Sequence, residues 1–186
     1  MIGFAFTGSF CTIPQALGLM RKQKEDGFDI LPIFSENVYR TDTRFGKADE
    51  IRAQVEKISG RHVIHTIVDA EPIGPKTVLD ALIICPCTGN TLAKIANGIT
   101  DTSVCMAAKA HLRNNRPLII ALATNDALSA NLQNIAKLLT RKNVYFVPMR
   151  QDDHISKPHS LVADFSQLDD ALRLALKGEQ IKKIFI

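Results

Sequence analysis

The richest chemistry in this 186-residue chain lies between Cys85 and Thr91, where two thiols, two threonine hydroxyls, a glycine and an asparagine follow one another. Cys85 and Cys87 form a C-x-C pair with no second pair at zinc spacing. Residues two apart in an extended chain share a face, yet one C-x-C is weak support for a metal or a redox couple. The hydroxyls and the amide say more. Thr88, Asn90 and Thr91 cluster where a helix begins, and Gly89 lets the backbone come close to a ligand. An asparagine amide both donates and accepts, so Asn90 suits an amide-rich heterocycle such as a flavin ring. A helix N-cap role for Asn90 or Thr91 is compatible with ligand binding.

Two further stretches offer polar groups. In "TGSFCTIP", Thr7, Ser9 and Thr12 supply three hydroxyls and Gly8 a bare backbone. The helix expected near Pro14 adds free amides and a partial positive charge. The set forms a phosphate cradle, although Thr12 also fits a plain N-cap in a tight turn. It is neither G-x-G-x-x-G nor a Walker loop, so a single phosphate is favoured over a pyrophosphate. Ser35 follows the second apolar run, either as another phosphate hydroxyl or as a turn serine. Arg40 and Arg44 read as anion partners or as surface arginines. Between Arg150 and Ser160, the residues Asp152, Asp153, His154, Lys157 and His159 crowd into one loop. The spacing is irregular for a metal. Arg150 and Lys157 there could pair the carboxylates of a small dicarboxylate, or the loop is simply polar and mobile. No metal site is expected.

These groups need a frame. Apolar runs at 2–6, 28–34, 62–68, 81–85, 117–123 and 144–148 are near-continuous, as in strands covered on both faces. Helical patterns separate most of them. One runs from Pro14 to a stop at Gly27 and another from Ala48 to Gly60. Leu92, Ile95, Ala96 and Ile99 form a core stripe stopped by Gly98. The patterns at 102–115 and 125–143 make two more helices. Strands alternating with helices predict an α/β fold, a doubly wound, Rossmann-like parallel sheet in a flavodoxin-like three-layer sandwich, as one domain over 1–186. Ligands then bind beyond the carboxyl ends of the strands, where the polar stretches fall. The terminal "QIKKIFI" reads as a last strand or an interface segment.

The net charge is +4, with no Trp and two Tyr. That gives neither the basic stripe nor the aromatics of a nucleic-acid face. No apolar run approaches the ~20 residues of a membrane span, and "MIGFAFTGSF" lacks a signal peptide's charged start. A cytoplasmic protein with four free thiols is expected.

"PCTGNT" resembles the Pro-Ala-Ser-Ala-Asn-Thr motif of the homo-oligomeric flavin-containing cysteine decarboxylase superfamily. "LAKIANGITD", ending at Asp101, matches the segment that follows it. "TGS" and the serine after the second strand match in the same order. The resemblance covers at least residues 2–148. It implies FMN as cofactor and trimers or larger assemblies, with Ser9 and Ser35 on the phosphate and Thr88, Asn90 and Thr91 against the flavin. Thr7, Gly8, Thr12, Gly89 and Asp101 complete the implied cofactor set. The superfamily's substrate clamp, Pro-Ala-Met-Asn-x-x-Met, keeps only Ala123 and Asn125 here, so its thiol-acid decarboxylation is disfavoured. His65 is the nearest match to the superfamily's base, but at a longer spacing, and reads better as a core or sheet residue.

Phrases between residues 69 and 165, among them "DAEPIGPK", "TNDALSANLQNI" and "KNVYFVPMRQDD", are similar to the flavoprotein-like B subunits of dipicolinate synthases. That resemblance implies an oxidoreductase in the mother cell of a sporulating bacterium. It would complete dipicolinic acid together with the dehydrogenase-like A subunit of dipicolinate synthase, which could bring NADP. Asn90 and Asn125 are the side chains placed at the reacting ring; Asn125, Arg150 and Lys157 would hold the substrate. Two other readings stay open. One is an ancillary, substrate-binding subunit without flavin; the other is an FMN-dependent decarboxylase of a cysteine-containing acid.

Overall fold

The computed structural model describes all 186 residues. In chain order the elements are β1 (Ile2–Phe6), α1 (Ile13–Glu25), β2 (Ile30–Phe34), α2 (Glu36–Arg40), α3 (Ala48–Ser59), α4 (Ile67–Ala70), β3 (Ala81–Cys87) and α5 (Gly89–Asn97). There follow α6 (Ser103–Leu112), β4 (Leu118–Thr124), α7 (Leu132–Leu139), β5 (Val144–Phe146), β6 (Met149–Arg150), β7 (Leu161–Ala163) and α8 (Leu168–Ala175). The strands β2, β1, β3, β4 and β5 lie side by side, all parallel. The end of β4 instead pairs β7 antiparallel, and β7 pairs β6. The sheet is thus parallel at its centre with an antiparallel extension.

Both faces of the sheet are dry. Ala5, Leu82, Ile84, Ile120 and Leu122 pack on one side with Leu92, Ile95, Val104, Ala107, Ile135 and Leu138 from α5, α6 and α7. Phe4, Phe6, Ile83, Cys85 and Ile119 pack on the other with Met20, Val55, Leu168 and Leu172 from α1, α3 and α8. This double burial is why the strands read as unbroken apolar runs. The helix stops at Gly60 and Gly98 are left-handed C-caps, both at φ 72°; a side chain there would be strained. No helix is long and apolar enough to cross a membrane.

Several expectations need correction. The run 62–68 is not a strand. Ile64 makes one bridge to the sheet edge through Pro32 O and Phe34 N. Thr66 then caps α4 by accepting from the Asp69 amide at 3.0 Å, and the local cap ends the extended chain. Ile99 lies beyond the Gly98 stop and is 47% exposed, so it leaves the core stripe. The helix expected from 125 starts only at Leu132, because the Asp126 carbonyl accepts from the Ser129 and Asn131 amides and makes a turn. "QIKKIFI" adds a single bridge, Phe185 to Met149, rather than a strand. Finally, Cys85 and Cys87 do not share a face. The register of β3 shifts between Ile84 and Cys87, so Cys85 enters one core and Cys87 the other.

Candidate functional site

Two clefts open beyond the carboxyl ends of β1, β3 and β4. The larger, about 850 Å³, runs from Gly8–Thr12 past Thr88–Asn90 to Ala123–Asp126 and Lys157. The smaller, about 280 Å³, lies between Thr7, Gly8, Ser35, Asn37, Thr91 and Thr102. They share Gly8, Thr88 and Asn90. A βα loop after each parallel strand supplies the walls, which is the place such sheets bind ligands.

The two main loops are tied together by Thr7. Its buried hydroxyl donates to Pro86 O at 2.8 Å and accepts from the Thr88 amide at 2.9 Å. The one proton of Thr7 is used inside the protein, so this residue positions the site rather than offering a donor. Thr88 caps α5, accepting from the Thr91 amide at 3.3 Å and donating to the Thr91 hydroxyl at 3.1 Å. The Gly89 and Asn90 amides in the first turn of α5 have no acceptor within the helix. The Asn90 side chain is exposed to both clefts and free of internal hydrogen bonds.

Ser35 sits at the first position before α2 but caps nothing. Its hydroxyl is buried and has no partner, a costly state unless a ligand fills it. Ser9 faces the larger cleft, while Ser35 faces the smaller; Gly8 stands between them. Thr12 also lines the larger cleft, but its hydroxyl donates to Ser9 O at 2.8 Å and does not cap α1.

Three of the expected residues lie elsewhere or are engaged. Asp101 lines neither cleft; its carboxylate grips Lys94 at 2.8 and 2.9 Å. Arg150 lines a separate surface groove with Gln15 and Asp164. Lys157 does reach the larger cleft, paired with Asp152 at 3.1 Å. Asn125 is exposed in that cleft. His65 is outside both clefts, stacked flat on Tyr39 with ring centroids 3.6 Å apart, its Nδ1 buried without a partner. In the 150–160 loop, Asp153 accepts from the Ile155 and Ser156 amides, a local turn that explains the polar run.

Other residues enter the larger cleft without having been singled out. Phe10 and Phe45 give it apolar walls; Arg44, expected as an anion partner or a surface arginine, also lines it and lies over the Phe45 ring at 4.8 Å. Asp126 accepts from the Thr124 hydroxyl at 2.5 Å and from Asn131 Nδ2 at 2.8 Å. The Thr124 hydroxyl, and then Asn131, hold its carboxyl below the usual carboxylate range against the effect of burial. The signal was the polar run "TNDALSAN" at the end of a buried strand, absorbed into a helix that starts too early.

The Flavoprotein family model matches residues 1–171. The chain belongs to the Flavoprotein family. This flavoprotein-family chain is 42% identical over 185 residues to the dipicolinate synthase B subunit of Bacillus subtilis (strain 168), covering 100% of this chain and 92% of that one. The crystal structure of the dipicolinate synthase B subunit from Bacillus halodurans C superposes with a TM-score of 0.91 at 42% identity, over 100% of this chain and 95% of the other. The chain is thus a homologue of the dipicolinate synthase B subunit. The FMN-dependent cysteine decarboxylase SpaF shares the fold, with a TM-score of 0.67 at 20% identity over 94% of this chain and 95% of its own.

Proposed function

We propose that this flavoprotein-family chain is the B subunit of a dipicolinate synthase, a single flavoprotein-type domain acting with the synthase's A subunit. The reaction would remove two hydrogens from a dihydrodipicolinate precursor and leave the aromatic dicarboxylate. The observation that carries the reading is the buried, unpartnered hydroxyl of Ser35 beside a larger cleft that holds Asn90, Asn125 and the cations Arg44 and Lys157.

The residues present fit FMN. Ser35 and Gly8 would hold its phosphate, with Ser9 on the other side of Gly8, and Thr88, Gly89, Asn90 and Thr91 would line the ring. FMN, when bound, supplies a two-electron acceptor. The chain's own residues do the rest. Arg44 would neutralise one substrate carboxylate, and Lys157 would share its ammonium between Asp152 and the other. Asn90 and Asn125 orient the ring by hydrogen bonds. Phe10 and Phe45 shield it from water. The A subunit could bring NADP instead as the final acceptor. A cytoplasmic assembly of three or more copies in a sporulating mother cell accompanies this reading.

One observation favours the ancillary reading, in which no flavin is held. Glu36 lines the smaller cleft next to Ser35, and a carboxylate repels a phosphate. Lys94 lines the same cleft but is already paired with Asp101. Titrating FMN into the purified chain while following the flavin absorbance separates the two. Saturable binding, followed by dipicolinate formation on adding the A subunit and substrate, supports the synthase reading. If FMN leaves the spectrum unchanged and no dipicolinate forms with both subunits present, that reading fails.

A further inference from the structure

The larger cleft contains four charged side chains, Arg44, Asp126, Asp152 and Lys157. Asp152 and Lys157 neutralise each other. Arg44 rests on Phe45 and forms no ion pair. Asp126 has only neutral partners, Thr124 and Asn131. The cleft therefore keeps one uncompensated cation and one uncompensated anion. A plain dianion would satisfy the first and be repelled by the second.

The anion is a built feature. Asn131 is in turn held by Asn134 at 2.9 Å, Asn134 by Asn97 at 3.2 Å, and Asn97 by Lys137 at 3.1 Å. This chain of side chains fixes the carboxylate from the cleft to the surface of α7. The carboxylate also occupies the space of a missing side chain. A Cβ on Gly89 would lie 2.5 Å from Asn131 Nδ2, 2.6 Å from Thr124 Oγ1 and 2.8 Å from Asp126 Oδ1. Glycine at 89 thus admits the cluster against the first turn of α5, whose partial positive charge suits a carboxylate.

We propose that Asp126 is a specificity-determining residue that accepts a hydrogen bond from the ring N–H of a cyclic dicarboxylate whose nitrogen is a protonated imine or an amine. Thr124 and Asn131 are its positioning residues, and Gly89 supplies the room. The proposal rests on the dicarboxylate reading of the cleft and deepens it. A non-aromatic ring nitrogen that carries a proton gives Asp126 a charge-assisted partner. The aromatic ring has a lone pair at the same place and meets the carboxylate oxygens without a proton between them. The site would then hold the precursor in its N–H form and release the aromatic product.

Calorimetry with piperidine-2,6-dicarboxylate and pyridine-2,6-dicarboxylate tests this. The intact protein should bind the piperidine diacid at least about tenfold more tightly, the range of one charge-assisted hydrogen bond. Asp126→Asn should remove the preference. Gly89→Ala, which drives the cluster from its place, should remove it too with the carboxylate retained, and serves where D126N folds poorly. Equal binding of both diacids by the intact protein, or a preference that survives in folded D126N, overturns the role of Asp126 and leaves the dicarboxylate reading standing. Binding of neither diacid overturns both.

Discussion

The Thr7 hydroxyl receives the Thr88 amide at 2.9 Å, joining the loop after β1 to the start of α5 across 81 residues of sequence. Through the same hydroxyl Thr7 donates to Pro86 O. Thr7→Val keeps the shape and removes both bonds, leaving the Thr88 amide without its acceptor, while Pro86 O keeps only the residue-7 amide at 3.2 Å. Denaturant unfolding should show a loss of about 1–3 kcal/mol. An unchanged midpoint would mean that the two loops do not depend on this residue.

Ser35 should behave in the opposite way. Its hydroxyl has no partner within the protein, so Ser35→Ala removes an unmet desolvation cost. Unliganded stability should stay within about 0.5 kcal/mol or rise. FMN affinity, read by absorbance titration, should fall about tenfold if the hydroxyl meets a phosphate. A clear stability loss without FMN would show that Ser35 is structural.

The thiols should divide by burial. Burial pushes the Cys85, Cys87 and Cys105 thiols up, away from the reactive thiolate, whereas Cys11 is exposed at the larger cleft. An aromatic disulfide reagent should label one cysteine in the native protein and all four after denaturation. Rapid native labelling of Cys85 or Cys87 would contradict the packing of β3.

Acid should act through His111. Burial lowers its pKa from 6.5, against the bond between its Nε2 and Pro117 O at 2.9 Å. The unfolded chain therefore binds this proton first. The His111 contribution is complete above pH 6.5 and is lost as pH falls from there through the lower folded value. Melting temperatures from neutral pH down to about pH 5 should decline more steeply for the intact protein than for His111→Gln. Parallel slopes would remove His111 as the cause.

Much of this molecule is written locally. Continuous apolar runs at 2–6, 81–85 and 117–123 mark strands buried on both faces, and Gly60 and Gly98 mark helix ends, because burial and left-handed backbone are demanded residue by residue. Thr88, Gly89 and Asn90 are likewise marked by type and place, at the exit of a central strand. What the chain alone did not determine are the relations between distant segments. The separation of Cys85 from Cys87 depends on how β3 meets β4. The use of the Thr7 proton depends on where Pro86 comes to lie. The value of Gly89 depends on Thr124, Asp126 and Asn131, more than 30 residues away, filling the space of its absent side chain. Hydrogen bonds and steric exclusion act over a few ångströms, and only folding decides which distant atoms come that near.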